Sequence, residues 1–204
     1  GVDPDNGDPL WYRNVKDAQG NVTGRTTTND YAQADYYYVD KSSLPKVYGG
    51  FNTAFSYKGF ELSAIFAYSI GGYIVDRDVT MLWSNGSNPG RAWSTEILKR
   101  WTPENRDTDV PALKTVSNNW NSNSTRNLFN NSYLRMKNIT LSYNFPQPLI
   151  KKISLSSLQL FVQADNLLTF SKNQGMDPEQ GITGLTYYRY PAMRSISGGL
   201  NVSF

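Results

Sequence analysis

Residues 194–204 read R-S-I-S-G-G-L-N-V-S-F. Ile196, Gly198, Leu200, Val202 and Phe204 fall on one face of an extended chain, and Ser195, Ser197, Gly199, Asn201 and Ser203 on the other. That strict period of two marks a strand with one apolar and one polar face. Its length of about ten residues is also what a tilted strand needs to cross the hydrocarbon core of a bilayer. The sequence ends on an aromatic residue, Phe204.

Working back from this stretch, the same two-faced pattern recurs. Leu158, Leu160, Val162 and Ala164 oppose Gln159, Phe161, Gln163 and Asp165. Within Tyr133–Phe145, the residues Ile139, Leu141, Tyr143 and Phe145 alternate with Asn138, Thr140, Ser142 and Asn144. The start of that strand breaks phase, because Arg135 and Lys137 count onto the apolar face, where charges are tolerable only near the headgroups. Further upstream, Lys46–Tyr57 carries Val47, Phe51, Thr53, Phe55 and Tyr57 on one face. Lys58-Gly59 then suits a tight two-residue turn, with Gly supplying the positive φ. The return strand Phe60–Tyr73 aligns Phe60, Leu62, Ala64, Phe66, Tyr68 and Ile70, with Ile65 an apolar exception on the other face.

The connections alternate in length. The Lys58-Gly59 turn, the Pro146–Ser156 connector and Phe204 fall at one end of the strands, and the long loops 76–131 and 171–193 at the other. Short turns on one side with long loops on the opposite side are characteristic of outer-membrane barrels. Aromatics gather where an interfacial girdle would lie: Phe55, Tyr57, Phe60, Tyr143, Phe145 and Phe204. The expected fold is therefore all-β, with antiparallel strands forming part of a large transmembrane β-barrel and long outer loops. One short loop helix is expected at Ser94–Trp101, with Ser94 as N-cap and Pro103 beyond its end. Two more short strands are expected at Leu10–Asn14 and Tyr36–Asp40.

Composition narrows the chemistry. The 204 residues are only 18% charged, against about a quarter in a typical soluble domain, and Tyr, Trp and Phe reach 14%. No apolar run approaches the roughly 18 residues of a membrane helix, and a barrel would leave none. A net charge of +3 with scattered basic residues gives no nucleic-acid footprint. Zero Cys and zero His remove thiolate chemistry and the commonest general base and metal ligand. Asp3, Asp5 and Asp8 around Gly7 miss the calcium-loop spacing and read as an ordinary turn. Asp76, Asp78, Asp107 and Asp109 supply carboxylates, but nothing fixes a pair at glycosidase separation. No cofactor, metal or catalytic residue is expected. Asn-X-Ser/Thr triplets such as Asn85-Gly86-Ser87 and Asn138-Ile139-Thr140 are compositional coincidences in a bacterial barrel.

Several phrases resemble the C-terminal region of the SusC/RagA-like TonB-dependent outer-membrane transporters. They are G-D-P-L-W-Y at 7–12, S-L-P-K-V-Y-G-G-F at 43–51 and S-Y-K-G-F-E-L-S-A at 56–64. Y-L-R-M-K-N-I-T-L-S-Y-N-F-P at 133–146, D-N-L-L-T-F at 165–170 and G-L-N-V-S-F at 199–204 continue the series in the family's order. The resemblance implies that residues 1–204 are the closing strands of a barrel of about twenty-two strands, with the plug domain and N-terminal strands elsewhere in the polypeptide. It also implies uptake of glycans or oligopeptides across the bacterial outer membrane, beneath a SusD-like lipoprotein lid and driven by the TonB complex. The aromatic Phe204 resembles the terminal signal read by the barrel-assembly machinery.

Candidate contacts for substrate or lid are the loop aromatics Trp83, Trp93, Trp101, Trp120, Tyr187, Tyr188 and Tyr190, which suit ligands with an apolar face and polar rim. The plainer reading is that they pack the loops together. Asp165, on the polar face near a strand end, is a candidate for ligand or plug; its plainer role is a hydrogen bond to a neighbouring strand. The competing architecture is a soluble β-sandwich that binds carbohydrate, in which the apolar faces would meet in a core. The fate of Phe51, Leu141, Leu160 and Leu200 separates the two.

Overall fold

The computed structural model describes residues 1–83, 90, 92–114, 119–172, 176–179 and 181–204. Its elements are β1 (Trp11–Lys16), β2 (Val22–Thr28), β3 (Val47–Tyr57), β4 (Phe60–Ile70), β5 (Tyr73–Asp76), α1 (Arg77–Leu82), β6 (Leu128–Asn130), β7 (Tyr133–Asn144), α2 (Gln147–Ile150), β8 (Ser157–Ser171), β9 (Leu185–Thr186) and β10 (Ser195–Ser203). They divide into two units, one of residues 1–40 and 75–128 and one of residues 41–74 and 129–204.

The second unit holds a five-stranded antiparallel sheet in the order β10-β8-β7-β4-β3. It is open, with β3 and β10 as its edges. Register keeps the faces aligned across every pair: Phe55 opposes Leu62, Leu62 opposes Leu141, Leu141 opposes Val162, and Leu160 opposes Leu200. The resulting apolar face is not a core. Phe51, Leu141, Leu160 and Leu200 stand 51%, 48%, 45% and 62% exposed. That excludes the sandwich, which would bury all four. On this face the small Ala64 and Ala164 are buried. Aromatics cluster near the short turn, where the Phe60 and Tyr143 rings lie 4.6 Å apart and Tyr143 meets Phe145 edge-on at 5.0 Å.

The β3–β4 turn has both central residues at positive φ, Lys58 at 45° and Gly59 at 88°, which is the type I′ geometry that matches strand twist. A Cβ on Gly59 would lie 2.8 Å from the Asn144 carbonyl oxygen, so glycine is required for space as well as for φ.

The phase break read at Arg135 and Lys137 is resolved by a bulge. The β4–β7 register slips between Ile65 and Phe66, leaving Lys137 without a partner on β4. Against β8, the pairing skips from Asn138–Asp165 to Met136–Leu168, with Asn166 at φ 52°. Beyond the bulge Leu134 and Met136 take over the apolar face, opposite Tyr68 and Phe66. Arg135 is thereby turned to the polar face, opposite Ala67 and Thr169, which overturns its expected place beside the apolar residues. One extra residue switches a strand's faces without ending it.

The first unit contains the antiparallel hairpin β1–β2, α1 and several 3₁₀ turns. Several elements differ from expectation, among them the strand expected at Leu10–Asn14, which runs Trp11–Lys16. Residues 36–40 form no strand; an irregular strap runs there instead, with Asp35 N–H donating to the Tyr12 carbonyl at 3.0 Å. The helix expected at Ser94–Trp101 is a 3₁₀ turn, Thr95–Lys99, capped by Ser94 as foreseen. Asp76 begins α1, its carboxylate accepting the Asp78 and Val79 N–H groups at 3.0 Å. No helix among the described residues is long and apolar enough to cross a membrane, which says nothing about crossing by strands.

In the full-length protein, Gly59→Ala is expected to destabilise the β3–β4 hairpin by more than about 1 kcal/mol, since it adds both φ strain and a backbone clash. Denaturant titration followed by heat-modifiable gel mobility measures this; an unchanged midpoint would refute the turn assignment.

Candidate functional site

The polar face of the five-stranded sheet is a ladder of amides, hydroxyls and two carboxylates, Glu61 and Asp165. Asn201 donates to Gln159 Oε1 at 2.9 Å, and Gln159 donates to Asn144 Oδ1 at 3.0 Å. Asp165 accepts from Asn138 Nδ2 at 2.7 Å on β7 and from Ser195 Oγ at 3.1 Å on β10. Gln163 also reaches the Asp165 carboxylate, at 3.3 Å. Asp165 is thus bound to both neighbouring strands, the plainer of its two readings. A shallow hollow lined by Ser63, Thr140, Ser142, Gln159, Gln163 and Asn201, among others, lies along this face. Its chemistry is that of a wet wall: many neutral donors and acceptors, few fixed charges.

At the end of the ladder remote from the Lys58-Gly59 turn, the bulge delivers Arg135 into a buried charge cluster. Its side chain is 4% exposed. The guanidinium pairs with Asp177 at 2.6 Å, pairs with Glu179, and donates to Thr169 Oγ1 at 3.0 Å. Lys137 adds a 2.7 Å contact to Glu179. Asp177 additionally accepts the N–H groups of Ala192 at 2.6 Å and Glu179 at 2.9 Å. Asn131 Nδ2 donates to the Pro178 carbonyl at 2.9 Å. These bonds pin the loop between β8 and β10 onto the polar face. The cluster was missed in the sequence, where its one signal was an arginine out of phase with an apolar face.

The loop aromatics divide into two groups. Trp120, 3% exposed, forms a small core with Ile97 and Val110, against which Trp83 and Trp93 pack. Trp83 and Trp120 are stacked at 5.8 Å. Trp101 donates through Nε1 to the Pro4 carbonyl at 3.1 Å, and its ring lies so close to Gly7 that a Cβ there would sit 2.7 Å away. That approach accounts for Gly7, at φ 74°, in the acidic turn. The turn itself spends Asp3 and Asn6 on backbone N–H groups, and Asp8 pairs with Lys114. Among the described residues there is no group of three side chains able to hold a metal. By contrast, Tyr187, Tyr188 and Tyr190 in the second unit are 54%, 68% and 97% exposed, with the first two rings 4.1 Å apart. Phe204 follows β10 and is exposed. The Asn85-Gly86-Ser87 triplet lies outside the described residues.

No protein-family model matches the chain. TonB-dependent receptor P3 of Formosa agariphila is 32% identical, the match covering 76% of this chain and 16% of that protein. TonB-dependent receptor P26 of the same organism is 28% identical, over 80% of this chain and 17% of that receptor. Among solved structures, the RagAB peptide transporter superposes over the whole chain with a TM-score of 0.82 and 33% identity, covering 22% of its matched chain. The RagAB peptide importer in its open-open state matches at TM-score 0.74 and 31% identity, again over the whole chain and 21% of the matched one. The segment is SusC/RagA-like.

It spans about a fifth or less of the receptors it matches. Those proteins are receptors and transporters rather than enzymes. Two of the carboxylates singled out in this SusC/RagA-like segment have local partners. Asp76 is buried at its helix cap, where burial pushes its pKa up against the pull of the two N–H groups. Asp109 lies 3.9 Å from Arg126.

Burial also pushes Asp177 upward, but the Arg135 bond and the Ala192 and Glu179 N–H groups outweigh it and hold the carboxyl below its ordinary value of 3.8. A carboxyl depressed by folding contributes stability above its unfolded value and loses it as pH falls through the folded one. Amide exchange at Glu179 and Ala192 in the intact receptor should therefore stay protected at neutral pH and open only in strong acid. Arg135→Met should abolish that protection at neutral pH, by about 3–5 kcal/mol, because the buried Asp177 loses its guanidinium and Glu179 is left with Lys137. Unchanged protection in the variant would contradict the latch.

Proposed function

We propose that this chain is the C-terminal wall and outer-loop portion of an outer-membrane nutrient importer, lodged in the bacterial outer membrane as a multi-pass β-barrel. The observation that carries the reading is the two-faced sheet, with an exposed apolar side suited to lipid and a hydrogen-bonded polar side suited to a wet lumen. The open edges β3 and β10 pair with strands from the rest of the polypeptide, which also supplies the plug and the segment that engages TonB. A SusD-like lipoprotein covers the outer loops. Phe204, in phase with the apolar face, is read by the barrel-assembly machinery.

The cargo is an oligopeptide, a choice supported by likeness to the RagAB peptide importer; a glycan is the competing cargo. The exposed rings of Tyr187, Tyr188 and Tyr190 contact cargo or lid, and Asp165 faces the lumen as part of its polar lining. Trp83, Trp93, Trp101 and Trp120 act indirectly, by holding the first unit's loops in shape.

Uptake of a labelled oligopeptide mixture by cells carrying the intact receptor tests the reading. Replacing Tyr187, Tyr188 and Tyr190 together by Ala should lower uptake about tenfold or more, with heat-modifiable barrel unchanged. Peptide uptake unaffected by loss of the receptor would overturn it, and uptake of oligosaccharide alone would replace the cargo.

A further inference from the structure

The first unit contains an aromatic pocket that plays no part in the sheet or the loop latch. It has a volume of about 510 Å³, inside the range of roughly 300–1,000 Å³ of small-ligand pockets. Leu10, Tyr12, Arg25, Tyr36, Tyr37 and Tyr38 contribute to its lining. The hairpin and the strap of residues 34–39 build it together. Asp35 is fixed to β1 by its own N–H and by accepting the Asn14 N–H at 2.7 Å. Tyr37 then folds over the hairpin, its hydroxyl donating to Asn14 Oδ1 at 2.8 Å and its ring meeting Tyr12 edge-on at 6.2 Å.

The Arg25 guanidinium lies 4.2 Å from the Tyr37 ring centroid. This places a cation against an aromatic wall, which orients it but satisfies none of its five N–H donors. Arg25 forms no ion pair among the described residues. Tyr36 and Tyr38 line the same pocket and are 89% and 93% exposed.

The balance of donors and acceptors selects a ligand class. A neutral sugar presents hydroxyls that must both give and receive hydrogen bonds, and carboxylates or amides usually receive them. Here the Asp35 carboxylate is committed to the Asn14 N–H, Tyr37 to Asn14, and the Tyr31 hydroxyl to the Asn123 carbonyl at 2.9 Å. Of the two cations in the lining, Arg126 faces Asp109, while Arg25 lies against the Tyr37 ring with its N–H donors open to the pocket. That combination matches a carboxylate, which a guanidinium can take in a two-pronged bond, next to an apolar or aromatic group.

We propose that this pocket binds an oligopeptide through a carboxylate held by Arg25 and an aromatic side chain set among Tyr12, Tyr36 and Tyr37. The carboxylate comes either from the peptide's C-terminus or from an acidic side chain. The proposal rests on the peptide-import reading for the ligand's presence at this surface.

Titration calorimetry on the purified intact receptor tests it. Four probes are used: Ala-Ala-Phe as free acid, its C-terminal amide, Ala-Phe-Glu-Ala blocked at both ends, and maltotriose. Binding of the free acid, the blocked acidic peptide or both, well above the amide, is expected, and which of the two binds identifies the carboxylate's source. Arg25→Gln should weaken that binding about tenfold or more and leave the amide unchanged. Lys16→Gln, on the same hairpin outside the pocket, should change nothing. Equal affinity for acid and amide, equal effects of the two substitutions, or tighter binding of maltotriose than of any peptide would each overturn the site. Loss of cellular uptake with this binding pattern intact would count against import alone, whereas intact uptake without the pattern would count against the pocket alone.

Discussion

Each strand of the five-stranded sheet has an apolar side that this sheet leaves exposed, and that constraint governs the rest of the second unit. Burying apolar surface is worth about 25 cal/mol per Å², so a row of half-exposed Phe, Leu, Val and Ile side chains would be costly in water. Hydrocarbon removes the cost. It also imposes the opposite demand on the backbone, whose polar groups must be satisfied within the sheet because lipid offers no partners. Antiparallel pairing meets that demand between β10 and β3, and leaves it open only at those two edges.

The polar side follows a different logic. Its side chains bond to one another across strands, as Asn201 to Gln159 to Asn144 and Ser195 to Asp165, and leave the wall largely uncharged. The exception is Arg135. A bulge at Lys137 costs one break in the ladder and moves a buried cation to the side where Asp177 and Glu179 can meet it. The loop after β8 is therefore anchored by its acidic stretch, while Tyr187, Tyr188 and Tyr190 farther along it stay exposed.

What was legible in the sequence was whatever obeys a period of two. The β3–β4 hairpin, the later part of β7 and the closing strand stand where the alternation puts them, and Lys58-Gly59 turns as its glycine demands. Departures from that period were not legible. The bulge made Arg135 look misplaced, because a positive φ at Asn166 has no clear signature in an alternation count. The strand β2, V-T-G-R-T-T-T, carries no apolar face to find. Tyr36–Asp40 looked like a strand from its aromatics, yet it is a strap tied down by Asp35 and Tyr37. Asp76 read as a loose carboxylate because its role, capping α1, depends on a six-residue helix too short to announce itself. The tryptophans gave no hint of their division of labour, since packing and contact use the same residue type.

The central claim is that the two faces of the sheet meet two different solvents. Single cysteines placed at Leu160 and Leu200 on one face, and at Gln163 and Asn201 on the other, can carry a fluorescent label in the intact receptor reconstituted into bilayers. Quenching by brominated lipid tails should be strong at 160 and 200 and weak at 163 and 201, with a water-soluble quencher giving the reverse. Labels at 160 and 200 shielded from lipid, or all four positions responding alike, would contradict the account.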